Sequence, residues 1–326
     1  MGERSDILRS MHRAMKGEQR ELMTDPSADS HVIGRIAAKG LDDELHDRPY
    51  LVVDGIDGRA HYLKLPAGAD LAGLPIGGIL EAKPPAQERA VDRSILAAAR
   101  DGICTAASHQ AQLAQASDRD PQATGYVERT ADGVWAVPAD LLQKARQHDA
   151  QKVAGHSIEL RSHLSVEQQI KAMGATWLDR GLVADGAKGL QPTGQGFGAQ
   201  VREAMDQRVD FLAGQGLAEP WGQRIILARN LLATLRDREL ASVGQSLQQQ
   251  IGKAWHPVQD GQRVSGVYRQ SIQLASGHFA ILDDGMGFHL VPWKPVIEQR
   301  LGLQVSAIVR GQSVTWQLGH RRGIGI

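Results

Sequence analysis

The sequence contains one cysteine, Cys104, in 326 residues. A lone thiol closes no disulfide within the chain and builds no zinc–thiolate cluster, and it suits a reducing compartment, so a cytoplasmic location is expected. Aromatic residues make up only 4%, so each Trp and Tyr has few companions for a core or a stacking surface. Long apolar runs are missing too. None approaches the ~20 residues of a membrane-spanning helix, and the opening Met1-Gly2-Glu3-Arg4-Ser5-Asp6 has no apolar secretory segment. No contact with membrane is expected. Nor is there an excess of one charge: 37 Lys and Arg face 37 Asp and Glu, which removes the strong basic footprint of many nucleic-acid binders. The balance is uneven, however. Residues 1–150 carry 18 Lys and Arg against 23 Asp and Glu, and residues 151–326 carry 19 against 14.

Recognisable catalytic motifs are absent as well. None of the twelve histidines forms H-x-H or H-x-x-x-H, and the pairs His156/His163 and His278/His289 have no metal-ligand spacing. No metal and no cofactor is expected. There is no G-x-S-x-G elbow and no phosphate loop. Gly194-Gln195-Gly196-Phe197-Gly198 follows no strand and reads as a flexible cap before a helix at Ala199. The densest acidic cluster is Asp42-Asp43-Glu44 with His46, Asp47 and Arg48. Such carboxylates could hold Mg²⁺ for a hydrolase or nuclease. All lie in one loop, which favours a solvated loop with an internal ion pair.

What is present is a succession of short elements, too long for one ordinary core and better divided into modules. Ile7, Leu8, Met11 and Met15 have helical spacing and predict a short leader or docking helix, followed by a linker over 24–30. From His31 the period becomes that of strands: Val32–Ile36, Tyr50–Val53, an Asp-Gly turn, Arg59–Leu63 and Ile76–Glu81. The far end repeats the plan in Arg263–Tyr268, Phe279–Leu282, the turn Asp283-Asp284-Gly285 and Phe288–Val291, with further strands at Val305–Val309 and Val314–Trp316. Between these ends, Gly125–Val137 and Gly216–Leu227 each read as a β-hairpin behind helical sequence. The second follows an apolar stripe of Val201, Met205, Val209 and Leu212, and residues 165–181 predict one amphipathic helix bearing Ile170, Met173 and Trp177. The expected fold is α+β and multi-modular. A helical leader covers 1–30, a small OB- or SH3-like barrel 31–86 and a winged-helix-like unit 87–150. A helical or winged-helix-like unit covers 151–253 and a second small barrel 254–326.

Small barrels bind nucleic-acid strands with a basic groove and stacking aromatics. The candidates in the first barrel are Arg35, Arg48, Arg59, His61 and Tyr62, with Tyr50 more suited to core. In the last they are Tyr268, Arg269, Lys294, Arg310, Arg321 and Arg322, beside His320, with Trp293 and Trp316 again more suited to core. Recognition helices would present Ser108, His109 and Gln110, then Arg202, Gln207 and Arg208, and Arg224 would sit on the second wing. Winged helices also dock proteins.

The strings ERSDILRSMHRAMKG, GLDDELHDRPYLVVDGIDGRAHY, ADGVWAVPADL, ELRSHL, GATWLDRGL, GQRIILARNLLATLR and SGHFAILDDGMGFHLVPWKPVIEQRLG resemble the uncharacterised C-terminal region of large mobilisation relaxases from conjugative plasmids and integrative elements. The resemblance covers nearly all of residues 3–326. It implies a part in conjugative DNA processing, in which a relaxase nicks one strand at a transfer origin and pilots it to a recipient. The family's nuclease uses a tyrosine nucleophile and a metal held by closely spaced histidines. No such His pair occurs here, and Tyr50, Tyr62, Tyr126 and Tyr268 lie in no matching context, so a non-catalytic chain is expected: an excised C-terminal piece, which the opening mid-helix motif favours, or a stand-alone product that has lost the nuclease. Two functions follow as expectations. In one the region binds or positions DNA, single- or double-stranded, during plasmid mobilisation. In the other it is a protein-interaction platform for the relaxase nuclease domain, the coupling protein or the secretion machinery.

Overall fold

A computed structural model describes residues 2–15, 18, 20–24, 31–43, 48–65, 69–83, 103–105, 128–131, 134–136, 157–184, 189–221, 224–311 and 313–317. Contacts group the chain into two units. The first comprises Met1–Gly55, Arg59–Ile76 and Leu80–Glu159, and the second Ile56–Gly58, Gly77–Ile79 and Leu160–Ile326.

In the first unit, helix α1 (Gly2–Ala14) precedes strands β1 (Glu21–Met23), β2 (Val32–Asp43), β3 (Arg48–Gly55), β4 (Arg59–Lys64) and β5 (Ile79–Lys83). With β9 (Ser157–Ser162) they form a sheet of order β1-β4-β3-β2-β5-β9, in which β1 runs parallel to β4. The predicted leader helix is part of this core: Ile7, Met11 and Met15 pack on Val52, Ala60 and Tyr62. The same unit carries a small sheet of β6 (Ile103–Thr105), β7 (Glu128–Ala131) and β8 (Val134–Ala136). Its antiparallel β7–β8 pair is the hairpin expected from Gly125–Val137, while the helical sequence at 87–100 lies outside the described residues.

Among the described residues, the second unit begins with four helices and a hairpin. These are α2 (Val166–Ile170), α3 (Trp177–Val183), α4 (Gly196–Gly214), the pair β10 (Ala218–Trp221) and β11 (Arg224–Leu227), and α5 (Leu231–Ile251). The single helix predicted over 165–181 is therefore two. Its break has a physical cause. The amide of Thr176 turns to the Asp179 carboxylate, closing a capping box at the start of α3, and the carbonyls of Ile170, Ala172 and Gly174 turn to the guanidinium of Arg208 on α4. A continuous helix would have spent those groups on itself. Leu212, Leu217, Ala218, Leu231 and Leu235 close the core between the helices and the hairpin.

The C-terminal sheet contains β12 (Ala254–Trp255), β13 (Arg263–Leu274), β14 (Gly277–Asp283), β15 (Gly287–Pro292), β16 (Gln304–Arg310) and β17 (Ser313–Gln317). Its order, β12-β15-β14-β13-β16-β17, reproduces that of the first sheet strand for strand, including a short first strand parallel to the fourth. The bulges correspond too. Ala37 is the extra residue between Ile36 and Ala38, as Arg269 is between Tyr268 and Gln270. Gly34 and Gly266 also occupy like positions, where a Cβ would collide with the carbonyl of Asp54 or Asp283. The predicted repeat of the two ends is thus present as topology. The predicted small barrels are not: the structure is α+β with open six-stranded sheets among the described residues.

Each face of the C-terminal sheet is covered by alternate side chains. Ile281, Phe288 and Leu290 pack toward Leu240, Val243, Leu247 and Trp255, whereas Tyr268, Ala280, Leu282 and Val291 form the opposite core. Burying each such aliphatic or aromatic side chain contributes about 1.5–3 kcal/mol. Gly244 sits at the middle of α5 because the Trp255 ring fills the space its Cβ would need, which outweighs the cost of glycine in a helix of about 1 kcal/mol.

Candidate functional site

The turn between β14 and β15 gathers a group of polar side chains with restricted geometry. The amide of Asp284 donates to the carbonyl of Gly287 at 3.1 Å, closing the turn, and Gly285 takes a φ of 92° that favours glycine. Asp283 and Asp284 are adjacent in sequence but face different partners.

Asp283 accepts from Lys253 Nζ at 2.7 and 2.8 Å and from Arg269 Nε at 3.1 Å, with the Gly285 amide at 2.9 Å. The ammonium of Lys253, then the turn amide, hold its carboxyl down to about 2. A carboxyl depressed in the fold adds stability above its unfolded value near 3.8, and that stability is lost as pH falls toward 2. Asp283→Asn should therefore flatten the acid limb: between pH 4 and 2 the wild-type urea midpoint should fall more steeply than the variant's. Equal slopes for the two would exclude Asp283 as a source of acid sensitivity.

Asp284 is oriented by backbone. Its Oδ1 accepts from the amides of Met286 at 2.9 Å and Gly287 at 2.6 Å, and the Gly287 hydrogen bond is the largest cause of its lowered pKa. The other oxygen, Oδ2, meets two imidazoles: His256 Nδ1 at 3.1 Å and His289 Nε2 at 3.2 Å. His256 follows β12 directly and is fixed there by its amide, which donates to the Phe288 carbonyl at 2.9 Å. His289 is buried on β15, and its Nδ1 lies 3.0 Å from the backbone carbonyl of His256. One possible ligand atom from each of these three side chains lies within 4.8 Å of the other two.

The C-terminal sheet and α5 also line an apolar cleft of about 560 Å³, with Leu240, Trp255, Val258, Phe279, Leu290 and Val309 in its wall and Arg236 and Asp260 among its polar members. Its size is that of pockets that accept small molecules or an inserted side chain.

The residues expected to contact DNA are scattered by this structure. Tyr62 and Tyr268 are 2% exposed and His61 5%, so none of the three offers a ring for stacking. Tyr62 stacks on Tyr50, with centroids 4.9 Å apart, and Trp293 donates to the Tyr268 hydroxyl at 3.2 Å. Arg208 is completely buried, which corrects its reading as a major-groove contact. Arg35 pairs with Asp54 at 2.9 Å, Arg59 with Glu21 at 2.8 Å and Arg269 with Asp283 at 3.1 Å. Arg202, Lys294 and Arg310 are exposed, on α4, before Pro295 and at the end of β16. Arg48 lies on β3 and Arg224 on β11, with side chains outside the described residues, as are His109, Arg321 and Arg322. The acidic cluster at 42–47 also has no described side chains.

Sequence reasoning passed over His256, Asp284 and His289 because the histidines are 33 residues apart. The signal lay in the repeat. Registers align His289 with His61, both following the residue that faces the third strand's Asp, and align His256 with Met23 and Asp284 with Gly55. Only the C-terminal copy has all three polar groups.

Comparison with curated proteins and with solved structures found no match to this chain. No helix among the described residues is long and apolar enough to cross a membrane. The sequence profile of one family spans residues 1–325, nearly the whole chain. The chain belongs to that family, DUF3363, whose description is "protein of unknown function".

Proposed function

We propose that the chain is a cytoplasmic, non-catalytic accessory region of the conjugative-relaxase kind, whose helix-and-hairpin unit docks a protein of the transfer machinery. The sequence of α2, α3 and α4 followed by the β10–β11 hairpin supports reading this unit as winged-helix-like, with α4 in the place of a recognition helix. One observation carries the choice of partner. The exposed face of α4 bears Glu203, Asp206 and Asp210 against the single cation Arg202, and the hairpin behind it exposes Ile225 and Ile226 at 50% each. A phosphate backbone would meet more repulsion than attraction on that helix. A basic, partly apolar protein surface would meet complementary charge and an apolar anchor. The DNA-positioning reading keeps exposed Arg202, Lys294 and Arg310, and loses its stacking aromatics to the core.

The test compares binding of the whole chain to the coupling protein's cytosolic domain and to the relaxase nuclease domain of one conjugative element. Ile225→Asp with Ile226→Asp, both at exposed positions, should weaken the complex at least about tenfold while leaving the circular dichroism unchanged. No binding to either protein would overturn the docking reading. Fluorescence anisotropy with labelled single strands and duplexes at low salt, where phosphate contacts are strongest, tests the DNA reading. Binding weakened by Arg202→Glu would favour it instead.

A further inference from the structure

We propose that His256, Asp284 and His289 form a binding site for a single divalent ion of the zinc class, which fastens the edge strand β12 to the β14–β15 turn.

The geometry is the first argument. Zinc sits about 2.0–2.1 Å from imidazole nitrogen and carboxylate oxygen, so tetrahedral ligand atoms lie about 3.3–3.4 Å apart. Two of the three edges here measure 3.1 and 3.2 Å, both from Asp284 Oδ2. The third, between the two ring nitrogens, is at most 4.8 Å. It closes by rotation of His256, whose side chain is 41% exposed.

The second argument is the proton inventory at His289. A carbonyl oxygen only accepts, so the contact between His289 Nδ1 and the His256 carbonyl at 3.0 Å places a proton on Nδ1. The other ring nitrogen, Nε2, is thereby turned to Asp284 Oδ2 at 3.2 Å, on a side chain about nine-tenths buried. A metal ion bound there would take the place of a ring proton between nitrogen and carboxylate. Donation of the remaining ring N–H to a backbone carbonyl is also how metal-ligating histidines are ordinarily held. Asp284 is prepared in the same way, its Oδ1 anchored by two turn amides and its Oδ2 left toward the rings.

The third argument is internal to the molecule. The N-terminal sheet has the same strand order, the same bulge and the same parallel first strand, with Met23, Gly55 and His61 where the C-terminal sheet has His256, Asp284 and His289. The architecture therefore does not require the triad. Its neighbours do not compete for it, because Asp283 is engaged by Lys253 and Arg269. Two imidazoles and one carboxylate suit zinc and its transition-metal neighbours better than magnesium or calcium, which favour all-oxygen shells. Three protein ligands leave zinc one position for water.

The mechanical consequence is local. Strand β12 is joined to β15 by only two parallel register pairs, Ala254 with Gly287 and Trp255 with Phe288. An ion bridging the residue that follows it to the adjacent turn and strand closes that edge.

The experiment is titration of Zn²⁺, and separately Co²⁺, into the full chain after chelator treatment, followed by calorimetry, visible absorption and thermal unfolding. One ion should bind per chain, with the Co²⁺ ligand-field absorption of a four-coordinate site and a rise in the unfolding temperature. His256→Ala alters an exposed side chain, so folding is retained. It should weaken binding by more than about a hundredfold, since losing even an outer hydrogen-bond partner of a ligand costs about 10- to 100-fold. Asp284→Asn keeps an oxygen for the turn amides and should weaken binding comparably. Absence of binding at micromolar Zn²⁺, or binding and stabilisation unchanged in His256→Ala, would overturn the proposal. The second result would assign the ion to other histidines of the chain.

Discussion

Replacing Arg208 with alanine is expected to cost the second unit about 3–5 kcal/mol, the range for breaking a buried ion pair by removing one partner. Arg208 and Asp179 are both fully buried. Every guanidinium N–H is used: Nε and one Nη2 proton bind the two oxygens of Asp179 at 2.9 and 2.8 Å, and the others bind the carbonyls of Ile170, Ala172 and Gly174 at 3.1, 2.6 and 3.0 Å. Alanine would strand a carboxylate held only by Thr176, together with three carbonyls that no helix satisfies. Arg208→Lys retains the charge and loses the planar fork, so it should fall between alanine and wild type. Five of the six tryptophans lie beyond residue 160, so tryptophan fluorescence in urea follows this unit. A midpoint for Arg208→Ala equal to that of wild type would show that the buried network is energetically idle.

Glu239→Ala is expected to lose about 2–3 kcal/mol, consistent with hydrogen bonds to a charged group in a partly buried setting. Glu239 is a buried carboxylate on α5 whose two oxygens accept the amides of Ala275 and Ser276, each at 2.9 Å, in the turn between β13 and β14. Ser276 in turn accepts the amide of Ala175 at 2.8 Å. Gly174 is glycine because any Cβ there would overlap the Glu239 carboxylate. One side chain thus joins helix, hairpin and the break between α2 and α3. Glu239→Gln, which keeps one acceptor, should recover about half the loss. Amide exchange at Ala275 and Ser276 gives the local check: if Glu239→Ala leaves their protection intact, the carboxylate does not hold the turn.

The strand periodicity and the Asp-Gly turns made both ends of the fold legible, and the likeness between the strand-turn-strand runs Tyr50–Leu63 and Phe279–Val291 carried the repeat. The hairpins at Glu128–Ala136 and Ala218–Leu227 were legible for the same reason, a period of two around a turn. Sheet closure was not, because open and closed sheets alternate alike. The break at Gly174 was hidden because its cause, Arg208, lies on another helix and looked like a surface cation on its own. Aromatic residues misled in the opposite direction: with so few available, Tyr62 and Tyr268 are spent on the interior. The ion site was unreadable from spacing because sheet register, and not helical or loop proximity, unites its residues.

Strand β13 has a kinetic consequence. Its last residues pair with β14 across the short Leu274–Gly277 connection, while its first, Arg263–Val267, pair with β16 after two intervening strands and a 3₁₀ turn. Closing the near loop restricts few residues and closing the far one restricts many, so the hairpin forms first and its free rim then templates the late arrivals. Until β16 and β17 reach that rim, half of one strand waits unpaired with its hydrophobic side already committed, and these two strands are what shield it from neighbouring molecules.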